Sequence, residues 1–567
     1  MSCPEGAAEG YGLRNRCAAV AGLAREGEAV SRFLARQGCR VVATDLRPPE
    51  SFGDRLTSLA ELGVQMVLGG HPQSVLDGCE VVFVSPGVPF DSPLLNEARA
   101  RGLPLSTESR LFCHLCPAPI AAITGSSGKT TTTTLVGEML KAYHRAGTAV
   151  VPYLPPRGPC ARLGDKGVGD SEVTWVGGNI GQPLIERLER IQADDRVVME
   201  LSSFQLHYFH PSVNAHAGAV HPAWLPLLGG WSPRVGAILN ITPNHLDRHH
   251  SMGDYIHAKR AMVAYRRPWD VAVLGQDDPV TSAMADELFG DVRWFSRVSP
   301  VLQGACLSGT GREAVIMLRR HKSPAPARSD PGAAADALRP LPSREIAEQP
   351  VCRVREVQLR GEHNVANVLA ACAIADAMGA PVAAMRLACT TFTGVDHRLE
   401  WVGDVDGVHY YNDSIATSPE RLMAALRSFD EPIVLLAGGR DKHLPWDEAA
   451  QLMLNRTRHV MLFGEAAALI AGALAAARAR GTVAQSGGLP PTPPGTTPWT
   501  APVIHGCATL EDALSVAARV ARAGDVVLLS PGCTSFDAFA DFAERGARFR
   551  ALVHEMHANG AVPPLRR

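Results

Sequence analysis

The 567 residues are too many for one hydrophobic core, and at about 150 residues per domain they allow three or four. Apolar residues make up 46% and charged ones 20%, ordinary for a soluble globular chain, and a formal net charge of -2 gives no electrostatic case for a nucleic-acid or anionic-membrane partner. No uninterrupted apolar span reaches bilayer length, and the first residues, MSCPEGAAE, lack the basic and apolar regions of a signal peptide, so a cytoplasmic protein without membrane insertion is expected.

The 13 cysteines form no evenly spaced framework. The one tight pair, Cys113-His-Leu-Cys116, lacks the second pair a structural zinc site needs, so these cysteines read as buried small apolar side chains.

The chain opens with a short apolar strand, Cys17–Gly22, an amphipathic helix over about 28–37 and a second strand, Arg40–Asp45. Gly22 and Gly27 fit the first and third glycines of G-x-G-x-x-G, but Ala24 replaces the second, which argues against close approach to a pyrophosphate. A buried strand then runs from Val81 into the turn Ser85-Pro-Gly-Val-Pro89, and turns of this kind carry the ligands of open α/β sheets. A small α/β domain ending near residue 107 is expected from this.

Next comes Ala121-Ala-Ile-Thr-Gly-Ser-Ser-Gly-Lys-Thr130, an apolar strand running into a glycine-bearing turn, a lysine and a hydroxyl-rich helix start. It reads as a shortened phosphate cradle, since Ile123 stands where the full G-x-x-x-x-G-K-[ST] motif has glycine. Gly125 and Gly128 let backbone N–H groups turn toward an anion, the helix N-terminus adds its positive dipole end, Lys129 reaches the β and γ phosphates, and Thr130 offers a hydroxyl to Mg²⁺. The plainer reading is a Gly/Ser turn before a Thr-capped helix. The helix continues to Tyr143, and a Pro/Gly-rich surface excursion is expected to about residue 172.

Beyond Trp175-Val-Gly-Gly-Asn-Ile-Gly181, the strand Arg196–Glu200 delivers a carboxylate at its C-terminal end, where a parallel-sheet nucleotide site needs one for Mg²⁺. A second apolar strand, Val235–Asn240, leads into Ile-Thr-Pro-Asn-His245 and a run of histidines without H-E-x-x-H or Cys/His spacing, so zinc is not indicated. The following helix holds Lys259. Residues 321–350, heavy in Ala, Pro and Arg, read as a mobile insertion, and a helix beginning around Gly361 carries Asn364 and Asn367 on one face. A composition shift near 393–398 opens a third region, with strands at 407–412, 432–439, 460–464 and 525–530 between helices and a Pro/Thr/Gly-rich loop at 485–502. Another insertion is expected near 214–234.

With these residues in place the chain resembles the Mur ligase family over nearly its whole length. The resemblance rests on Ile123–Thr130, Gly177–Gly181, Glu200-Leu-Ser-Ser-Phe-Gln-Leu206, Asn240–Arg248, Gly361–Asn367, Asp396-His-Arg398, Asn412-Asp-Ser414, Gly438–Lys442 and Leu529–Asp537 with Phe542 and Arg545-Gly546. It implies three α/β domains: a Rossmann-like domain binding the UDP-sugar substrate (1–107), a central P-loop ATP-binding domain (108–394), and a Rossmann-like domain that closes on ATP and binds the amino acid (395–567). Glu200–Leu206 and Leu529–Asp537 look like the branch that adds D-glutamate to UDP-N-acetylmuramoyl-L-alanine, using ATP and Mg²⁺ through an acyl phosphate. A monomer is expected.

The resemblance also implies roles. Gly125, Ser126, Ser127, Gly128, Lys129, Thr130 and Thr131 would hold the ATP phosphates, with Asn364 and Asn367 on the adenine side and Arg398 and Asp413 brought by the third domain. Thr130 and Glu200 would hold one Mg²⁺. His245 and Lys259 would serve a second metal, the lysine as a carbamate. Leu23, Asp45, Leu46, Arg47, Ser85 and Asn179 match UDP-substrate positions, and Thr417, Lys442, Ser535 and Phe542 match those around D-glutamate. Two departures stand out. Ser126-Ser127 replaces the commoner Thr-Asn, a modest change if backbone N–H groups form the cradle, and Ile415 stands where many relatives carry Lys, so that Arg440 or Lys442 would have to supply the missing charge. The competing readings are a sibling or folylpolyglutamate-type ligase, which would lack Ser535 and Phe542, and a non-catalytic P-loop binding protein, which would not need Glu200, His245 and Lys259.

Overall fold

The computed structural model describes residues 11–145, 173–244, 248–321, 346–480 and 501–559. The excursions expected at 145–172 and 485–502, most of the insertion at 321–350, and His245 thus lie wholly or almost wholly outside the described residues. The chain forms two compact units, residues 1–357 with 363–391, and residues 358–362 with 392–567.

The first unit carries two sheets. In the smaller one, five parallel strands run in the order Gln65–Leu68, Arg40–Asp45, Cys17–Ala21, Val81–Val84, Leu105–Ser106. Cys17–Ala21 is buried throughout because helices cover both faces of a parallel sheet, which is why it reads as a continuous apolar run and not as an alternation. Ala21 lies opposite both Thr44 and Val84, so Gly22, Asp45 and Ser85 emerge together at the C-terminal edge. The helix spans Arg25–Arg36, starting three residues before the expected position.

The second sheet has nine strands, in the order Ile346–Arg353, Val315–His321, Gly304–Ser308, Asp291–Ser296, Val271–Gly275, Val235–Ile238, Ile120–Thr124, Arg196–Glu200, Thr174–Gly178. The first three form an antiparallel extension of a parallel sheet. Residues 346–350 therefore belong to a strand, correcting the mobile insertion expected there: backbone pairing with Val315–His321 overrides the polar, Pro-containing composition. The phosphate-loop strand lies between the strands of Glu200 and Asn240, with Ile123 opposite Glu200 and Thr124 opposite Ile238. Open α/β sheets bind ligands at such an edge.

The segment near 214–234 is a packed part of the first unit. Trp224 is fully buried, meets the Phe83 ring edge-on at 5.9 Å and donates its indole N–H to Glu80 at 2.9 Å. Arg110, also buried, donates to the carbonyls of Pro226 and Gly229.

Two buried acids, Glu26 and Glu108, lie close together beside Ser85 and Gly27 near the Gly22 turn. Burial pushes Glu26 up to about 7 and Glu108 up to about 8; at Glu108 the Glu26 and Glu186 charges add repulsion, while Arg25 at both, the Gln205 amide at Glu26 and the Ile185 N–H at Glu108 oppose the rise only in part. Both folded values exceed the unfolded one. Their stabilisation is therefore complete below the ordinary carboxylate range and is lost as pH rises through about 7 to 8. Thermal melting is expected to fall between pH 6 and pH 9, and Glu108→Gln, which keeps an oxygen for the Ile185 N–H, to flatten that fall by a few degrees. Equal slopes for the two proteins would rule the pair out as its source.

The second unit holds one six-stranded sheet, in the order Glu400–Val405, Val408–Asn412, Val526–Gly532, Ile433–Gly438, Thr457–Phe463, Val503–Gly506, parallel except for the first pair. Asn412 lies opposite Leu529, which brings Asp413 and Ser530 to the same edge. Among the described residues no helix is long and apolar enough to cross a membrane. Of the eleven free cysteines described, all but Cys507 are buried, as expected from the sequence.

Candidate active site

The phosphate loop leaves the central sheet at Gly125 and enters the helix Lys129–Arg145. Gly128 sits at φ +79°, where an L side chain is strained, and a Cβ there would stand 2.1 Å from the Asn367 side-chain oxygen and have to displace that amide. The amides of Asn364 and Asn367 are hydrogen-bonded at 2.9 Å and buried against the loop. Ser126 and Ser127 do not offer their N–H groups freely, as the cradle reading supposed: the first donates to the Asn240 carbonyl and the second to its side-chain oxygen, both at 2.9 Å. Asn240 reaches them because its strand is the loop strand's neighbour. The anion-facing donors are then the first-turn N–H groups of the helix, which have no intrahelical acceptor.

Lys129 arches back over the loop, donating to the carbonyls of Gly125 at 2.9 Å and Ser126 at 3.3 Å. The Thr130 hydroxyl donates to one Glu200 oxygen, and the Asn179 amide to the other, each at 2.8 Å. Asn179 is thereby brought to the carboxylate beside the phosphate loop. Lys259, buried on the helix Met252–Ala264, donates to the same Gly125 carbonyl at 2.8 Å and to Thr124 at 3.2 Å. Burial, and then the Lys129 charge, hold its amine well below the ordinary lysine range, with Glu200 pulling the other way. The Tyr255 hydroxyl, 3.0 Å from Ser126 Oγ, ties that helix to the loop.

At the edge of the smaller sheet, Asp45 is nearly buried, and both its oxygens are engaged by the Leu23 N–H and by Arg47. Burial pushes this carboxyl up, but the hydrogen bonds outweigh it and hold it at about 2. Asp45 therefore positions Arg47, whose guanidinium lies 4.3 Å from the Phe52 ring centroid, more than it offers a free carboxylate. Ser85 donates to the Gly22 carbonyl at 2.7 Å, while Leu46 is exposed.

In the second unit Asp413 is buried, accepting from Ser530 at 2.9 Å and from the Leu399 N–H at 3.2 Å, and burial raises it to about 7. The turn that carries Arg398 beside it has positive φ at His397 and Leu399. Lys442 Nζ lies 3.0 Å from Thr417 Oγ1; Ser535 is buried and Phe542 half-exposed. Arg545 is fully buried and clamps the loops together through Ser414, Cys533 and Thr534, while a Cβ at Gly546 would strike His397 at 2.1 Å. Arg440 is paired with Glu465 through two bonds of 2.8 and 2.9 Å, so it is not the free cation expected to compensate for Ile415.

Family models match three stretches: the Mur ligase MurD-like N-terminal domain over 16–106, the Mur ligase middle domain over 123–299, and the Mur ligase glutamate ligase domain over 397–533. The chain is 37% identical to the UDP-N-acetylmuramoylalanine--D-glutamate ligase of Symbiobacterium thermophilum, across 96% of this chain and 99% of the relative. The enzymes of the same name from Pelotomaculum thermopropionicum and Clostridium botulinum are 37% and 32% identical, across 94% and 96% of this chain and 96% and 98% of theirs. The chain belongs to the Mur ligase family.

Within this Mur ligase, sequence reading passed over Asn240, Tyr255 and Arg248. Asn240 had a signal, since like Glu200 it ends an apolar strand. Arg248, which donates to the Pro86 and Val88 carbonyls and covers the Phe204 ring at 5.2 Å, had none beyond its place in a motif. Gly128→Ala is expected to weaken nucleotide binding at least tenfold and to cost about 1–3 kcal/mol of stability, from the left-handed backbone alone. Nucleotide titration and thermal melting check this; wild-type values in both would remove the steric argument.

Proposed function

We infer that this chain joins D-glutamate to UDP-N-acetylmuramoyl-L-alanine at the expense of ATP, a step of peptidoglycan precursor synthesis. The observation that carries the reading is the convergence of Lys129, Lys259 and the Thr130–Glu200 pair on the edge at Gly125. A nucleotide-binding module without catalysis has no use for a buried lysine beside the loop's own Lys129. The near-full-length relatives supply the substrate class.

Catalysis by this set is positioning and charge neutralisation. Lys129 would leave its loop carbonyls for the β and γ phosphates while the first-turn N–H groups hold the anion. Arg47 and Ser85 would fix the UDP-sugar, so that its alanyl carboxylate oxygen meets the γ-phosphorus in line. That oxygen displaces ADP, the amine of D-glutamate attacks the acyl carbon, and phosphate leaves as the amide forms. The hard oxygens of Glu200 and Thr130 suit Mg²⁺, which when bound neutralises phosphate charge. Lys259, once carbamylated, would add two further oxygens. A reaction between ATP and a nucleotide-linked sugar supports a cytoplasmic setting.

Phosphate release with UDP-N-acetylmuramoyl-L-alanine and a panel of D-glutamate, L-glutamate and D-alanine tests the reading. D-glutamate is expected to react at least a hundredfold faster than either of the others. Equal rates with all three would overturn it.

A further inference from the structure

Arg421 stands on the exposed face of the helix Pro419–Leu426, whose Leu422, Ala425 and Leu426 are buried. Its guanidinium donates to the Ile415 carbonyl at 3.1 Å. Two residues along the same turn, Thr417 accepts from Lys442 at 3.0 Å. The two cations thus reach one short turn, Arg421 at the backbone of Ile415 and Lys442 at the hydroxyl of Thr417. They also sense each other: burial, and then the Arg421 charge, push the Lys442 ammonium below its ordinary range.

Among the described residues neither cation is ion-paired with a carboxylate, although Asp413 senses the Arg421 charge. Asp413 is buried with its oxygens given to Ser530 and Leu399. Asp441 is engaged by His443 and Trp446. Glu465 belongs to Arg440. The strand-end edge therefore presents two positive groups without an ion-pair partner next to a hydroxyl, a recognition set for an anion and above all for a carboxylate, which a guanidinium can hold in a bidentate fork.

We propose that Arg421, together with Lys442 and Thr417, binds a carboxylate of the incoming amino acid and so sets the enzyme's demand for a dicarboxylic substrate. This rests on the proposed ligase reading. Arg421 would do from the helix what a lysine at position 415 would do from the turn, and Ile415, whose carbonyl Arg421 already touches, leaves it the room.

The test is steady-state kinetics on the full chain with ATP, UDP-N-acetylmuramoyl-L-alanine and D-glutamate. Arg421→Ala is expected to raise KM for D-glutamate at least tenfold, with kcat and the KM values for the other two substrates within about twofold of wild type. Arg421→Lys is expected to recover most of the loss. So is Arg421→Ala combined with Ile415→Lys, which returns a cation to the same turn by another route. A merely structural arginine would change kcat or all three KM values together and would not be rescued by a lysine at another position. An unchanged KM for D-glutamate in Arg421→Ala, or failure of both lysine variants to restore it, overturns this assignment alone. A wild-type enzyme that does not turn over D-glutamate overturns the ligase reading beneath it.

Discussion

Lys259→Ala is expected to lower kcat by about a thousandfold while leaving the melting temperature near that of the wild type. The Gly125 carbonyl accepts from Lys259 at 2.8 Å and from Lys129 at 2.9 Å. The two nitrogens can be no further apart than the sum of those distances, and at ~5 Å with an effective dielectric of about 20 two unit charges repel by about 3 kcal/mol. Burial adds to the cost at Lys259. The favourable outcome is a neutral amine there, and a neutral amine is the form that adds to carbon dioxide: the nitrogen lone pair bonds the carbon, one proton is released, and an anionic carbamate remains. The sign at the site is then reversed, from repulsion of Lys129 to attraction. Short carboxylic acids such as acetate are therefore expected to restore part of the activity of Lys259→Ala, and Lys259→Arg, which introduces a permanent cation and cannot form the carbamate, is expected to be as inactive as the alanine variant. An active arginine variant, or an alanine variant within threefold of wild type, would show that a carbamate is not used.

Lys129→Ala is expected to cost a hundredfold to a thousandfold in kcat/KM for ATP, about 3–4 kcal/mol, the usual penalty for losing one preorganised donor to developing charge. The side chain now spans the loop between the Gly125 and Ser126 carbonyls, so it has to exchange those bonds for phosphate oxygens. Lys129→Met keeps the stem and removes only the charge. It is expected to match the alanine variant in rate of ADP formation while melting like the wild type. A methionine variant with wild-type kcat/KM would show that the helix N–H groups carry the phosphates by themselves.

The amino-acid sequence by itself determined the α/β class and the position of the phosphate loop, because a parallel sheet covered on both faces leaves continuous apolar strands such as Cys17–Ala21 and Ile120–Thr124, and a turn at φ +79° leaves a glycine such as Gly128. Glu200 and Lys259 were legible for a related reason: a carboxylate or an amine at the end of an apolar strand or inside a helix is chemically conspicuous. What the sequence could not give was contact between distant positions. Asn240 reads as a strand end, and only the strand order puts it beside Ser126 and Ser127 and makes it a holder of the loop. Arg440, Lys442 and Arg421 are three similar cations in sequence. Tertiary structure separates them, since Glu465 neutralises the first while the other two converge on residues 415–417 without a carboxylate. Side-chain charge is written in the chain, but whether a charge is already balanced depends on neighbours tens of residues away, and that is decided only when a sheet brings its own strand ends to one edge.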